Sequence, residues 1–429
     1  MRAAIVAVGS ELLGTERLDT NSLRLTDVLE RYGVDLVGKS VVGDDEDLLV
    51  AELLRRIDDS DLVLVTGGLG PTMDDRTRAA TARALGRGIT IDESIVEHIR
   101  RLFASFGRTM PEVNRRQAEV IDGATMLSNS RGSAPGMQLE HAGTHLFLLP
   151  GVPREVDAIV HDHVEPWLAA RTDDAVRVER RTLKVACLPE SDVEERIAPA
   201  YERFGRDALA VLSRPGEIRV VASTRGTAAE RRAALDAMTE QLHDLIGPAV
   251  FTDNADDELE DVVGRLLRDR GLKLALAESC TGGGIGERIT AVPGSSAYFE
   301  GGAVVYSYAA KSDLLGVDPN LIVERGAVSE EVAAAMARGA RRRFRADLAI
   351  AVTGIAGPGG ATDDKPVGTV HLAVAGPGDD DLEHRHVVFP GGRTRVRRMT
   401  SQMALEMLRR RLLAAVPDDA LVQTAGATE

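Results

Sequence analysis

The sequence predicts an α/β protein in three parts: an N-terminal three-layer α/β domain over residues 1–170, a small central α+β module over 175–250 and a C-terminal α/β domain over 258–415. Three observations lead to this prediction. A chain of 429 residues exceeds what one hydrophobic core usually serves. Short apolar runs alternate with segments of helical periodicity in both end regions. The middle region follows a different order of elements.

In the N-terminal region, buried strands alternate with amphipathic helices. The predicted strands are AAIVAV, DLVLVTGG and THLFLLPG, and the predicted helices between them include SLRLTDVLERYG and DEDLLVAELLRRIDDS. This alternation implies crossover connections and a parallel sheet. Ligands bind such sheets at the carboxyl ends of the strands, which is where the glycine-rich loops of this region fall.

The central module reads as strand, helix, hairpin and helix. Ser191 with Glu194 and Thr227 with Glu230 have the spacing of capping boxes, which predicts two helix starts. The Arg-Pro-Gly-Glu stretch at 214–217 predicts the hairpin turn. The acidic, turn-rich stretch 251–261 predicts a linker to the C-terminal domain.

The stretch LALAESCTGGGIG (274–286) predicts a strand that ends in a tight turn before a helix. Ser279 and Cys280 are both candidate nucleophiles, and Cys280 is intrinsically the stronger one. The glycines from Gly282 onward open a helix N-terminus whose N–H groups can stabilise negative charge. A plain turn is the alternative interpretation of the same residues.

Other strand ends of the C-terminal domain supply partners for a nucleophile. Lys311 is the candidate base, since a desolvated lysine has a lowered pKa, whereas His371 falls inside a predicted strand. Tyr306 ends one strand-like run, Thr353 and Gly354 end another, and Arg393 begins the last helix. Four positions, Ser279, Lys311, Thr353 and Arg393, lie at strand-to-helix transitions of one predicted sheet, so we expect them to converge in space. On that last helix, Val396, Met399, Met403 and Met407 are expected to be core residues.

Two N-terminal stretches, AVGSELLGTERLDTNS (7–22) and VTGGLGPTMDDRTRAA (65–80), indicate a phosphate-binding site. The glycines let backbone approach a ligand, although neither the three-glycine dinucleotide motif nor the Walker lysine loop is present. Glu11, Asp19, Asp74 and Asp75 bring carboxylates that suit a hard divalent cation beside phosphate. Thr72, three residues before Asp75, is equally explained as a helix cap.

Composition excludes several classes of function. A net charge of −15 and only 3% aromatic residues argue against nucleic acid or an anionic membrane surface as the general partner. Two cysteines make no disulfide framework and favour a reducing cytoplasm. We found no apolar stretch long enough for a membrane span, so we expect a cytoplasmic protein.

The C-terminal stretches AESCTGG, PGSSAYFEGGAVVYSYAAK, GAVSEEVAAAMARGA, VTGIAGPGG and KPVGTVHLAVAG together resemble the CinA C-terminal domain, the nicotinamide mononucleotide (NMN) deamidase family. The resemblance implies hydrolysis of the NMN amide to nicotinate mononucleotide and ammonia, without a metal. It places the nucleophile on Ser279 and the base on Lys311, with Tyr306 assisting. The implied substrate-binding residues are Thr281, Gly282, Gly283, Thr353, Gly354 and Arg393.

The two N-terminal stretches, with NSRGSAPGM and LPGVPREV, resemble the molybdopterin-binding fold of CinA N-terminal domains. The resemblance implies hydrolysis of ADP-ribose to AMP and ribose 5-phosphate, with Mg, Mn or Co and possible use of potassium. Asp74 and Asp75 are the predicted metal ligands. The predicted nucleotide-binding residues are Gly9, Glu11, Asn21, Thr66, Gly67, Gly68, Gly70, Pro71 and Thr72.

Chain order is also that of the CinA family, whose central module is KH-like and whose members form homodimers. A KH unit that binds RNA needs a Gly-x-x-Gly clamp, and we found none in 175–250, so nucleic acid is not the expected partner. Two other interpretations stay open. One is a non-catalytic nucleotide-sensing protein linked to competence, and the other is a pterin-binding module of molybdenum-cofactor synthesis.

Overall fold

The structure, a computed structural model, describes residues 1–15, 17–378 and 380–414. The last residue of the predicted 258–415 domain lies outside these ranges. The chain divides into two compact units. The first comprises Met1–Glu179 and Thr224–Ala234, and the second comprises Arg180–Ser223 and the chain from Leu235 onward.

The first unit contains a six-stranded sheet in the order β2-β1-β3-β8-β7-β6 and a separate β4-β5 pair. Its strands are β1 Arg2–Val8, β2 Asp35–Val42, β3 Leu62–Thr66, β4 Ile89–Ile91, β5 Glu119–Ile121, β6 Thr125–Leu127, β7 Gly136–His141 and β8 Thr144–Leu149. Strands β2, β1, β3 and β8 are parallel, as the sequence predicts, whereas β7 pairs antiparallel with both β8 and β6. The expectation of a parallel sheet was wrong there, because the short β7–β8 turn leaves no room for a crossover.

Helices cover both faces of this sheet, which gives three layers. The helices of this unit are α1 Asn21–Arg31, α2 Glu46–Asp59, α3 Thr77–Leu85, α4 Glu93–Ser105, α5 Pro153–Ile159 and α6 Glu165–Ala169, the last two joined by one π-helical stretch, Val160–Val164. Successive residues of β1 pack into different cores: Ile5 packs with α1 and α5, and Val6 packs with α2 and α3. This alternation places the glycine-rich strand ends between the layers.

The central module is a four-stranded sheet, β10-β11-β9-β12, with two helices. Its elements are β9 Val178–Ala186, α7 Glu190–Phe204, β10 Leu209–Arg214, β11 Glu217–Arg225, α8 Ala228–Ile246 and β12 Val250–Thr252. The hairpin at 214–217 is confirmed. So is the capping box at Thr227, whose backbone N–H and hydroxyl both donate to Glu230 Oε2.

Two predictions for this region were wrong. Helix α7 starts at Glu190 after Pro189, so Ser191 already lies inside the first turn and does not cap it. The stretch 251–261 is only partly a linker, since β12 uses its first residues and the next helix begins at Leu259. The buried side chain of Phe251 explains the strand, because an apolar residue there adds to the core.

The C-terminal domain is a five-stranded sheet in the order β14-β13-β15-β16-β17 between two helical layers. Its elements are α9 Leu259–Asp269, β13 Leu274–Glu278, α10 Gly284–Ala291, β14 Phe299–Val304, α11 Tyr308–Leu315, α12 Pro319–Arg325, α13 Glu330–Phe344, β15 Leu348–Gly354, β16 Thr369–Ala375, β17 Leu382–Val388 and α14 Arg393–Ala414. Leu276 packs on the α9–α10–α14 side, and Ala277 packs on the α11–α13 side.

The long last helix is a core helix, as predicted. Val396, Met403 and Met407 are buried in the core, and Met399 packs partly against it. None of the helices in the described part of the chain combines the length and the apolar composition that crossing a membrane requires.

Candidate active site

The C-terminal ends of two parallel strands, β13 and β15, bring the first candidate residues together. Glu278 ends β13 and is paired in register with Val352 of β15. Ser279 follows directly, and its backbone N–H donates to the Val352 carbonyl. Ser279 and Thr353 therefore emerge side by side at one edge of the sheet.

Lys311 reaches this edge from helix α11. Its Nζ lies 3.1 Å from Ser279 Oγ and donates to the Val305 carbonyl oxygen at 2.7 Å. Lys311 is 1% exposed and Ser279 8% exposed. Within the described residues the ammonium group has no carboxylate partner. Burial without a counter-ion lowers the pKa of Lys311, because it disfavours the charged form.

The Glu278 carboxylate organises the turn behind Ser279. It accepts the backbone N–H groups of Gly283 (3.0 Å), Ile285 (3.1 Å) and Gly286 (2.8 Å), so it fills the N-terminus of α10. The Gly282 N–H is also used, by the Ser279 carbonyl. The expectation that these glycines offer free N–H groups to a ligand was therefore wrong. The signal for Glu278 was a lone acid that ends an apolar strand.

Cys280 differs from Ser279 in its surroundings, although the two are neighbours in sequence. Its side chain belongs to the hydrophobic core and is 4% exposed. Burial, together with the nearby Glu278 charge, raises the pKa of Cys280 to about 11. A thiol with that pKa is protonated at neutral pH and is a poor nucleophile.

Tyr306 and Arg393 lie together at the mouth of the pocket. Arg393 Nη2 donates to Tyr306 Oη at 2.8 Å, and Arg393 Nη1 donates to the Gly357 carbonyl at 3.0 Å. Tyr306 is 59% exposed, so this end of the pocket is open to solvent. The pocket is lined by Ser279, Cys280, Tyr306, Tyr308, Lys311, Ala327, Val328, Thr353, Gly354, Ile355, Ala356, Gly357, Gly359, Gly360 and Arg393.

The predicted binding residues divide into two groups. Thr353 and Gly354 line the pocket, and the Thr353 hydroxyl donates to the Ala327 carbonyl. Thr281, Gly282 and Gly283 do not line it, because the turn after Cys280 carries them to the other side. There Arg397, which sequence reasoning missed, donates to the Thr281 carbonyl at 2.7 Å. His371 lies inside β16, as predicted.

A second candidate pocket lies in the first unit, at the ends of β1 and β3. Seven of the predicted residues line it: Glu11, Asn21, Thr66, Gly67, Gly68, Gly70 and Pro71. Asp19 and Asp75 line it as well. Asn21 is fixed by bonds from its Nδ2 to Thr66 Oγ1 and the Gly151 carbonyl, while its buried Oδ1 has no partner in the described structure.

A buried arginine supports the glycine loop of this pocket. Gly67 has a φ of 100°, and a side chain there would collide with the Val8 carbonyl. The guanidinium group of Arg78 donates to the carbonyl oxygens of Leu69 and Gly70. Sequence reasoning missed Arg78, and also Glu155, a buried carboxyl in the quoted LPGVPREV stretch that lines the pocket.

The structure does not bring three of the predicted N-terminal residues into this pocket: Gly9, Thr72 and Asp74. Thr72 does not cap α3, which begins at Thr77. Its N–H and hydroxyl both donate to the Asp75 carboxylate, which also accepts the Gly70 N–H. The two carboxylate oxygens of Asp75 thus stabilise the turn 70–75. These are the same oxygens that would have to bind a metal ion.

No three His, Cys, Asp or Glu side chains within residues 1–15, 17–378 and 380–414 are grouped so that they could hold a metal ion. As placed, the carboxylates of the first unit therefore do not form a protein-built metal cage. The paired prediction of Asp74 and Asp75 as ligands does not fit this geometry, because Asp74 lies outside the pocket and Asp75 is engaged.

The fold and the site define a three-part α/β protein with a lysine–serine pair in its C-terminal domain. Its sequence matches the "CinA C-terminal domain" over residues 256–412, the "Probable molybdopterin binding domain" over 4–170 and the "Damage-inducible protein CinA KH domain" over 180–252. The expected fold class is confirmed.

Two relatives cover nearly the whole chain. CinA-like proteins of Solibacter usitatus and Koribacter versatilis are 44% and 43% identical, each over 96% of this chain and over 98% and 100% of their own length. A solved competence/damage inducible protein of Agrobacterium tumefaciens is 41% identical over 37% of this chain and 99% of its own, with a TM-score of 0.35. The chain belongs to the CinA family, as the sequence motifs predict.

Proposed function

We propose that the C-terminal domain is an amidohydrolase that converts NMN to nicotinate mononucleotide and ammonia. One observation carries this proposal: Lys311 Nζ lies 3.1 Å from Ser279 Oγ in a buried setting, where the described part of the chain supplies no counter-ion. A hydroxyl is a weak nucleophile until an adjacent base takes its proton, and a neutral lysine is such a base. NMN as the substrate comes from the family resemblance.

In the proposed reaction, the Ser279 hydroxyl gives its proton to neutral Lys311 and attacks the amide carbon. The Val305 carbonyl orients the amine, since it accepts an N–H in either protonation state. Lys311 then returns the proton to the departing amine, so ammonia leaves and an ester on Ser279 remains. Water, activated by Lys311, hydrolyses that ester and regenerates the serine.

Negative charge develops on the amide oxygen during each attack and needs donors. Within the described loop, the N–H groups of Cys280 and Thr281 have no carbonyl or carboxylate acceptor. We assign the oxyanion to the Cys280 N–H, because Cys280 lines the pocket and Thr281 does not. The positively charged nicotinamide ring of the substrate further favours neutral Lys311. Arg393 and Tyr306 would meet the polar end of the nucleotide at the open mouth of the pocket.

The experiment is incubation of the purified chain with NMN in the presence of a chelator, with separate assays for ammonia and nicotinate mononucleotide. We expect both products in equal amounts and no dependence on metal. Release of nicotinamide would instead mean that the glycosidic bond is cut. Absence of any turnover, with NMN still bound, would favour the nucleotide-sensing interpretation.

A second activity is proposed for the first unit, hydrolysis of ADP-ribose to AMP and ribose 5-phosphate. It is supported by the pocket at the glycine-rich strand ends, where the Asn21 Oδ1 has no partner among the described residues and can accept a hydrogen bond.

Dependence on Mg, Mn or Co, and on potassium, is part of this proposal. Magnesium usually relies on one or two carboxylates and the substrate phosphates, so a full protein cage is not needed. ADP-ribose that remains intact with each cation would contradict it. Retention of a pterin on native purification would favour the molybdenum-cofactor interpretation.

A further inference from the structure

The turn after Ser279, residues 279–283, is here called the nucleophile loop, and it has a pocket on each side. Ser279 and Cys280 line the first pocket with Lys311. Thr281 lines a second cavity, which shares no residue with the first. Its walls come from the β10–β11 hairpin, the start of α10 and one face of α14. No step of the proposed deamidation uses this second cavity.

Most of the carboxylates of the second cavity are already neutralised. Glu217 pairs with Arg219 at 2.7 Å, and Glu260 pairs with Arg288 at 2.5 Å. Glu258 pairs with Lys184 at 3.1 Å. The negative charge of these three carboxylates is therefore already balanced by Arg219, Arg288 and Lys184.

Three arginines of the cavity are not neutralised. Arg214, Arg397 and Arg398 line it, and none has a carboxylate partner within the described residues. Only Glu287 remains as an unpaired acid in the lining. The cavity therefore carries an excess of positive charge after its ion pairs are formed, which favours an anion.

Two buried polar atoms of the lining residues also lack a partner. Gln402 Nε2 and Thr281 Oγ1 make no hydrogen bond, although Gln402 is only 5% and Thr281 only 1% exposed. Buried donors are normally satisfied, so such atoms call for a ligand or ordered water. A ligand rich in oxygen offers the acceptors that both groups need.

We propose that the second cavity binds the phosphate group of a small phosphomonoester. Guanidinium groups recognise phosphate through paired, charge-assisted hydrogen bonds, and this cavity supplies three of them. Arg397 also donates to the Thr281 carbonyl at 2.7 Å. The ligand thus shares an arginine with the nucleophile loop, two residues from Ser279.

The test is calorimetric titration of the full chain with inorganic phosphate, ribose 5-phosphate and AMP at constant ionic strength. The key variant is Arg214→Gln/Arg398→Gln, because both residues are exposed and neither contacts the nucleophile loop by a hydrogen bond. Arg343→Gln/Arg395→Gln is the matched control, with the same charge change at exposed arginines outside both pockets.

We expect at least tenfold weaker binding of one of the three probes in the key variant and less than a twofold change in the control. Preference for inorganic phosphate or for an organic phosphate identifies the source of the ligand. Equal losses in both variants, or unchanged binding in the key variant, would overturn the proposal. A matching rise in the KM for NMN would also overturn it, because the cavity would then belong to the substrate site. The titration does not depend on deamidase activity.

Discussion

The carboxylate of Glu278 accepts the backbone N–H of Gly286 at 2.8 Å, so the strand that ends at the nucleophile is tied to the helix that follows it. Two further N–H groups, of Gly283 and Ile285, bind the same carboxylate. This buried acid has no cationic partner among the described residues, and it is stabilised by backbone donors and by the helix dipole. This arrangement holds the loop that carries Ser279.

Replacement of Glu278 by glutamine should destabilise this loop. The amide keeps the size but replaces one acceptor oxygen with a donor, which leaves a backbone N–H unpaired at a cost of about 1–3 kcal/mol. We expect a lower unfolding midpoint and a lower kcat for ammonia release, measured by urea unfolding and steady-state kinetics. The control is Glu287→Gln, an exposed position on helix α10, which should alter the free energy of unfolding by less than about 0.5 kcal/mol. Equal effects of the two changes would contradict this role.

The pH dependence of deamidation should follow Lys311. Because burial lowers its pKa and the base must be neutral, the rate should rise with pH through that lowered pKa and then level off. The folded chain binds this proton more weakly than the unfolded chain does. Lys311 should therefore make stability rise with pH between its lowered pKa and its ordinary value, as urea unfolding of wild type and Lys311→Met can show.

Lys311→Arg is the matched test of the base, since arginine is a long side chain with N–H donors that cannot lose its proton and act as a base. We expect a loss of about 10²–10⁴-fold in kcat, the range typical of a general base. Ammonia release measured as a function of pH, for wild type and for Lys311→Arg, checks both the rise of the rate with pH and the loss of kcat. A rate that falls as pH rises through neutrality would contradict the assignment.

Arg393→Gln should weaken substrate binding more than it slows the chemistry. The guanidinium group lies at the mouth of the pocket, where Tyr306 Oη accepts one of its N–H groups. Loss of a charged hydrogen bond costs about 1.5–3 kcal/mol, so KM for NMN should rise at least tenfold. Arg395→Gln, on the same helix outside the pocket, is the control. A fall in kcat at unchanged KM would instead place Arg393 in the chemical step.

Asp75→Asn should loosen the turn 70–75 in the first unit. Asp75 accepts hydrogen bonds from Gly70, from the Thr72 backbone and from the Thr72 hydroxyl. We expect at least threefold weaker binding of ADP-ribose in chelator, measured by calorimetry. Asp74→Asn should bind like wild type, because Asp74 lies outside the pocket. If Asp74→Asn caused the larger loss, the side chain that matters would have been misidentified.

Sequence reasoning located the strand ends but not the direction of every side chain near them. Alternating apolar runs predicted the strands that carry Ser279 and Thr353, and the edge of a parallel sheet brings such positions together. The prediction that Thr281 lies in the substrate pocket was wrong, because the turn after Cys280 carries Thr281 to the side of the loop opposite that pocket. A motif fixes the spacing of residues along the chain, but it does not say which side of a turn each residue faces.

The interactions of charged residues were the least predictable feature. Glu278 and Asp75 each satisfy several N–H groups, which depends on local backbone geometry rather than on spacing. Arginine is ordinarily a surface residue, but Arg78 is buried. Two loop carbonyl oxygens accept hydrogen bonds from its guanidinium N–H groups, which compensates for the burial. Contacts of this kind, from a side chain to nearby backbone groups of a turn, leave no periodic signal in the sequence.

Ammonia release from NMN by Ser279→Ala and Cys280→Ala, assayed side by side, distinguishes the two candidate nucleophiles. We expect Ser279→Ala to release no ammonia above background, since it removes the only hydroxyl that Lys311 contacts in the described structure. We expect Cys280→Ala to retain most of the activity, because the thiol is buried and protonated. Full activity in Ser279→Ala together with its loss in Cys280→Ala would contradict the assignment of Ser279 as the nucleophile.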